Sequence, residues 1–189
     1  MDSEVTFRTF LAVPLAPSFQ TEVEPLLEKL KQDHPGVRWV KASEIHLTLH
    51  FFGPTRQKDL MNISKGVAPV TEKTRPFEIY LEGLGAFPHL NRPRIIWAGI
   101  RGEIRPLIDL QAKLEEGFGK AGFPCEARAF KPHLTLGRVQ DQTPMTFSKL
   151  IPFGPTVSKK ITSTHLFRSH LTPQGAHYEA IQTYPFAPS

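Results

Sequence analysis

The chain of 189 residues has a single cysteine, Cys125. No disulfide can form within it, and no zinc site of paired cysteines can be built. No apolar run approaches the ~20 residues that cross a bilayer. The opening residues, Met1-Asp2-Ser3-Glu4, lack the basic stretch and apolar core of a secretory leader. These absences place the expected protein in the cytoplasm, away from membranes. There is no basic tail either: 23 Lys and Arg exceed 18 Asp and Glu, for a net charge of +5, but the cations are spread along the chain. That distribution suits a site for a phosphate-bearing ligand better than a scaffold for long duplex DNA. With 40% apolar and 22% charged residues, the composition is that of a globular protein with room for a sizeable core.

One stretch occurs twice. His46-Leu47-Thr48-Leu49-His50-Phe51-Phe52-Gly53 and His133-Leu134-Thr135-Leu136-Gly137-Arg138-Val139 share the tetrapeptide His-Leu-Thr-Leu, 87 positions apart. Each alternates apolar and polar residues with period two, as in a strand with one face in a core. His46 and Thr48 then share a face, as do His133 and Thr135, and the leucines point the other way. An imidazole beside a hydroxyl sets a titratable group next to a hydrogen-bond donor. A lone His-x-Thr strand is ordinary; its recurrence points to a paired site for acid/base work on an anion.

The flanking chain supports a duplication. Thr6 to Val13 reads as a strand, ended by Pro14. An amphipathic helix with Phe19, Val23, Leu26, Leu27 and Leu30 follows, with Pro25 either kinking it or starting its main body, and Pro35-Gly36 stopping it. Val37 to Lys41 is a short strand, Lys58 to Val70 a helix and Pro76 to Leu84 a strand. Gly85 to Pro93 reads as an irregular loop. Arg94 to Ile100 is a strand and Ile104 to Lys120 a helix, ahead of the second motif. A short helix is expected around Thr146 to Leu150. Lys160 to Arg168 and His177 to Tyr184 read as closing strands about a turn at Thr172-Pro173-Gln174-Gly175. Phe10 to His46 spans 36 positions and Ile96 to His133 spans 37, so strand, helix and motif recur in one order. The expected fold is α+β: one bilobal domain over residues 1–189, its two similar lobes related by a pseudo-twofold. Antiparallel sheets line a central groove, with the helices outside.

The two motifs resemble those of the 2H phosphoesterases, and the chain is similar to the branch of bacterial and archaeal RNA 2′,3′-cyclic phosphodiesterases, once called 2′-5′ RNA ligases. The likeness also takes in Phe7-Arg8-Thr9-Phe10-Leu11-Ala12, Arg38-Trp39-Val40, Phe87-Pro88, Arg92-Pro93, Leu171-Thr172-Pro173-Gln174-Gly175 and Tyr178-Glu179, almost the whole chain. Phe52 stands where the branch usually has leucine and keeps the position apolar. The resemblance implies hydrolysis of an RNA 3′-end 2′,3′-cyclic phosphate to a 2′-phosphomonoester without metal or other cofactor, and 2′-5′ joining of RNA. It implies His46 as proton donor and His133 as proton acceptor. The expected partners are RNA with cyclic phosphate ends, tRNA fragments or nucleotides, bound by a monomer.

Chemistry assigns the remaining expectations. The Thr48 and Thr135 hydroxyls are placed to donate to phosphoryl oxygens, and Arg138 to add a guanidinium fork. Strict alternation turns Arg138 away from His133, so reaching the ligand requires a bulge or twist at Gly137. Lys131 lies on the His133 side by parity, and His50 shares the face of His46 and Thr48 and so borders the groove. His34, His89, His165, His170 and His177 have no motif spacing and read as solvent-facing or structural. Phe7, Trp39, Phe51 and Phe52 are candidates for base stacking as well as for the core. Arg168 and Tyr178 are groove candidates on the resemblance alone. Three alternatives stand beside the phosphodiesterase: an enzyme for a small cyclic nucleotide, a non-catalytic RNA-binding module, and a metallohydrolase using His46, His50 and His133. The last lacks a carboxylate of matching spacing near either motif.

Overall fold

The computed structural model describes residues 6–140, 153–172 and 175–188. In chain order the elements are β1 (Thr6–Pro14), α1 (Pro17–Asp33), β2 (Val37–Trp39), β3 (His46–Arg56), α2 (Leu60–Thr71), β4 (Phe77–Phe87), β5 (Ile95–Gly102), α3 (Ile104–Lys120), β6 (His133–Val139), β7 (Lys159–Ile161), β8 (Ser163–Thr172) and β9 (Gly175–Pro185). The strands form two sheets, ordered β3-β1-β8-β9 and β2-β6-β5-β4-β7, with antiparallel pairing. Apart from β2, the orders correspond strand for strand: β3 with β6, β1 with β5, β8 with β4 and β9 with β7. This is the α+β repeat expected from the duplicated motifs. β3 and β6 meet where the two halves adjoin.

Burial of the motif leucines sets which way these strands face. Leu47, Leu49, Leu134 and Leu136 are all buried in one core shared with α1, α2 and α3. Each buried leucine contributes about 1.5–3 kcal/mol, more than the ~1 kcal/mol span of strand propensity, so packing dominates. α1 buries Phe19, Val23, Leu26, Leu27 and Leu30 and runs unbroken through Pro25. Pro25 and Thr21 are exposed, so the carbonyl that Pro25 cannot bond is open to water, and the buried face keeps the helix continuous. Among the described residues no helix is long and apolar enough to cross a membrane.

Three expected boundaries are corrected. β4 continues through Gly85 and Ala86 to Phe87, pairing them with Trp97, Ile96 and Ile95. A side chain at Gly85 would run into the Trp97 indole, so this glycine serves close packing within a strand. Lys160 to Arg168 is two strands, because the chain crosses at Thr162 from β7 in one sheet to β8 in the other. The strand expected over Val37 to Lys41 ends at Trp39 and, although it leads toward the first motif in sequence, pairs with the strand of the second. The helix expected around Thr146 to Leu150, and Pro173 and Gln174 of the closing turn, lie outside the described residues.

A single-residue bulge closes each His-Leu-Thr-Leu motif. In β3, Leu11 faces His50 and Ala12 faces Thr48, leaving Leu49 as the extra residue. In β6, Ile96 faces Gly137 and Trp97 faces Thr135, leaving Leu136 as the extra residue. A bulge inverts the alternation of the residues beyond it. The Leu136 carbonyl accepts from the Val40 N–H at 2.8 Å, so the end of β2 pins the second bulge. β3 alone has a further shift beyond Phe51, where Phe52 is left between the partners of Thr9 and Phe10.

Candidate active site

A groove of about 530 Å³ opens on the sheet faces turned away from the helices. Its walls include His46, Thr48 and Phe51 of β3, His133, Thr135 and Arg138 of β6, and Arg8 and Phe10 of β1. Val40, Glu44, Ser169, Leu171, Ala176 and Tyr178 also line it. A larger hollow of about 730 Å³ lies between α2 and α3, lined by Lys65, Lys73, Lys113 and Lys120. Its lining holds no histidine, whereas the smaller groove brings the two motif histidines together, so the smaller groove is the candidate for catalysis.

Both imidazoles are anchored alike. His46 Nδ1 donates to the Glu44 carbonyl at 2.8 Å, and His133 Nδ1 donates to the Lys131 carbonyl at 2.6 Å. A carbonyl only accepts, so Nδ1 carries a proton in each ring and Nε2 remains for a ligand. Aromatic rings hold the imidazoles in place. Phe10 stacks on His46 at 4.6 Å between centroids and Tyr178 meets it edge-on at 4.9 Å, while Phe87 meets His133 edge-on at 4.9 Å.

Burial dominates the electrostatics. It lowers His46 from 6.5 to about 4; the Glu44 carbonyl opposes this and Arg138 adds to it. His133 is lowered for the same reasons, with the Lys131 carbonyl opposing. Both rings are therefore neutral at pH 7 in the free protein. Tyr178 is pushed up by burial and by Glu44, against Arg138 and Arg8. Among the described residues no group of three or more His, Cys, Asp or Glu is arranged to hold a metal ion.

The structure redistributes the other expected site residues. Arg138 lines the groove because the Leu136 bulge reverses its face. His50 does not border it. The Leu49 bulge turns that ring inward, where it is 6% exposed and Nδ1 bonds Glu115 Oε1 at 2.6 Å. The same bulge turns Phe51 out, leaving it 54% exposed at the groove with the Arg8 guanidinium 5.5 Å from its ring centroid. The Lys131 side chain is exposed and absent from the groove lining; its carbonyl, by anchoring His133, is its contribution. Arg168 packs over Phe7 at 4.1 Å, also outside the groove lining. Sequence reasoning missed Arg8, Glu44 and Ser169. Only Arg8 left a signal: a charge inside an apolar strand, two residues before Phe10 and so on its face.

Comparison with known proteins places these observations in a wider group. The family model described as the 2′-5′ RNA ligase superfamily matches residues 17–172. A protein of Methanothermobacter thermautotrophicus named RNA 2′,3′-cyclic phosphodiesterase is 33% identical, the match covering 94% of this chain and 97% of the relative. One of the same name from Archaeoglobus fulgidus is 32% identical, covering 94% and 99%. Among solved structures, a protein of Thermus thermophilus superposes with a TM-score of 0.81 at 26% identity, covering 95% of this chain and 97% of that one. LigT of E. coli complexed with 3′-AMP gives a TM-score of 0.82 at 23% identity, covering 97% and 100%; at that identity it bears on the fold alone.

Proposed function

The chain belongs to the 2′-5′ RNA ligase superfamily, and from that premise we propose that it hydrolyses the 2′,3′-cyclic phosphate at an RNA 3′ end to a 2′-phosphomonoester, without a metal ion. The observation that carries this reading is the matched pair of imidazoles, each anchored through Nδ1 on a backbone carbonyl and facing one groove. His133 Nε2 accepts a proton from water as its oxygen bonds to phosphorus. The bond from phosphorus to the 3′ oxygen breaks in line, and that oxygen takes the proton on His46 Nε2. The phosphate stays on the 2′ oxygen. Thr48, Thr135 and Arg138 hold the non-bridging oxygens as charge develops on them.

His46 is neutral in the free protein, so the ligand itself completes the acid. A phosphodiester anion seated against the ring favours imidazolium and raises its pKa. With a 5′ hydroxyl in place of water, the same displacement yields a 2′-5′ bond, the joining reaction. Phe51, with Arg8 over its ring, offers the terminal nucleoside a flat surface on which to stack. The catalytic unit is a bilobal monomer, because each half of one chain supplies one histidine, and it works on RNA ends in the cytoplasm.

The test is incubation in EDTA with an oligonucleotide ending in a 2′,3′-cyclic phosphate, with and without an oligonucleotide bearing a 5′ hydroxyl. A 2′-phosphomonoester is expected, with a 2′-5′-linked product when the second strand is present. A 3′-phosphomonoester, or loss of turnover restored by zinc or manganese, overturns the assignment.

A further inference from the structure

His50 is a buried, titratable residue for which the proposed reaction has no use, and it sits on the opposite side of β3 from the groove. Its ring lies between Phe52 and Phe118, at 4.5 and 4.7 Å. Behind the sheet, Glu115 of α3 is a hub. Oε1 accepts from His50 Nδ1 at 2.6 Å and from Gln111 Nε2 at 3.0 Å, and Oε2 accepts from the Glu126 N–H at 3.1 Å. Gln111 also reaches the carbonyl of Leu49, the bulged residue, at 3.5 Å.

The bulge and the hub depend on each other. Without the extra residue at Leu49, period-two alternation would turn His50 into the groove and Phe51 into the core. The apolar ring favours that arrangement, because Phe51 would be buried and the imidazole solvated. The observed arrangement does the reverse, which is tolerable only if the buried imidazole has a partner. Glu115 is that partner.

We propose that Glu115 is a positioning residue for the groove: by pairing with His50 behind the sheet it holds the Leu49 bulge, and the bulge presents Phe51 to the nucleoside of the RNA end. This rests on the reading of the groove as an RNA-end site. The second motif has the same bulge but glycine in place of His50, and there the Val40 N–H pins the bulged carbonyl directly. A side-chain hub is needed only on the side where a polar ring is turned inward.

Calorimetric titration of the whole chain with adenosine 2′-monophosphate and with inorganic phosphate separates the roles. F51A and E115A are each expected to weaken nucleotide binding by about 5- to 150-fold, the range for one stacked base, while phosphate binding holds. The double variant F51A/E115A binds no more weakly than F51A. In H50L/E115A nucleotide binding recovers to within about threefold of the parent, because a leucine stays on the core side without a partner. E115Q, which keeps the shape and one acceptor oxygen but loses the charge, shows the same selective loss in smaller degree, and it carries the test should E115A not fold. Additive losses in F51A/E115A, equal loss of phosphate binding in E115A or E115Q, or no rescue by H50L overturns the proposal. An effect of F51A without one of E115A rejects the positioning and keeps the platform; an effect of E115A without one of F51A rejects the route through Phe51. Absence of cyclic phosphate turnover by the parent rejects the proposed reaction instead, a result distinct from all of these.

Discussion

Phe51 and Arg138 occupy the same place in the two halves of the molecule. Each is the second residue after a bulged leucine, and each is turned by that bulge into the groove. One half supplies an aromatic surface and the other a guanidinium, so a symmetric scaffold presents an asymmetric site, as the proposed ligand, with a base at one end and a phosphate at the other, requires.

In the proposed reaction, loss of either imidazole removes one proton-transfer partner and leaves the scaffold in place. His46→Ala and His133→Ala are each expected to lower kcat by about 10²–10⁴, with an unchanged far-ultraviolet circular dichroism spectrum. Turnover of the cyclic phosphate near the parent rate in either variant refutes the two-histidine assignment.

Burial is the main cause that lowers both histidines, and charge on Arg138 adds to it. In Arg138→Ala, proton-linked shifts of the two rings in NMR spectra are expected to titrate at higher pH than in the parent, and kcat/KM to fall by about 10²–10³, as for loss of one donor to a developing oxyanion. Gly137→Ala is expected to disturb the same residue by another route, since its Cβ would lie 2.7 Å from Trp39 and Val37. It should lower stability by about 1–3 kcal/mol, read from denaturant unfolding.

The pH dependence of turnover separates free from bound enzyme. kcat/KM reports the free protein, in which His46 loses its proton near 4, whereas kcat reports the complex, in which the proposed mechanism requires the substrate anion to raise it. The alkaline limb of kcat is expected at higher pH than that of kcat/KM. Coincident limbs would show that ligand binding does not complete the acid.

Stability follows the same shift. The folded His46 pKa, about 4, lies below its unfolded value of 6.5, so the unfolded chain binds the proton first as pH falls. The resulting stability is present above about pH 6.5 and lost as pH drops toward 4, about 3 kcal/mol across the window. Urea unfolding at pH 7 and pH 4.5 should show a smaller acid loss in His46→Ala than in the parent; equal losses would place the acid sensitivity elsewhere.

Period-two alternation was enough to read that His46 and Thr48 share a face, that His133 and Thr135 do, and that Leu47, Leu49, Leu134 and Leu136 turn to the core. Helical spacing placed α3, and the repeated order of elements implied the paired sheets, because these features depend on neighbours a few residues away. The positions of the bulges do not. They arise from the register of β3 against β1 and of β6 against β5, held from behind by Glu115 and Gln111 on one side and by Val40 on the other. Tertiary structure alone therefore decided that His50 is buried and that Phe51 and Arg138 face the groove. It also brought Arg8, Ser169 and Tyr178 to the groove from segments far apart in the chain, because only strand pairing sets which distant residues share a wall.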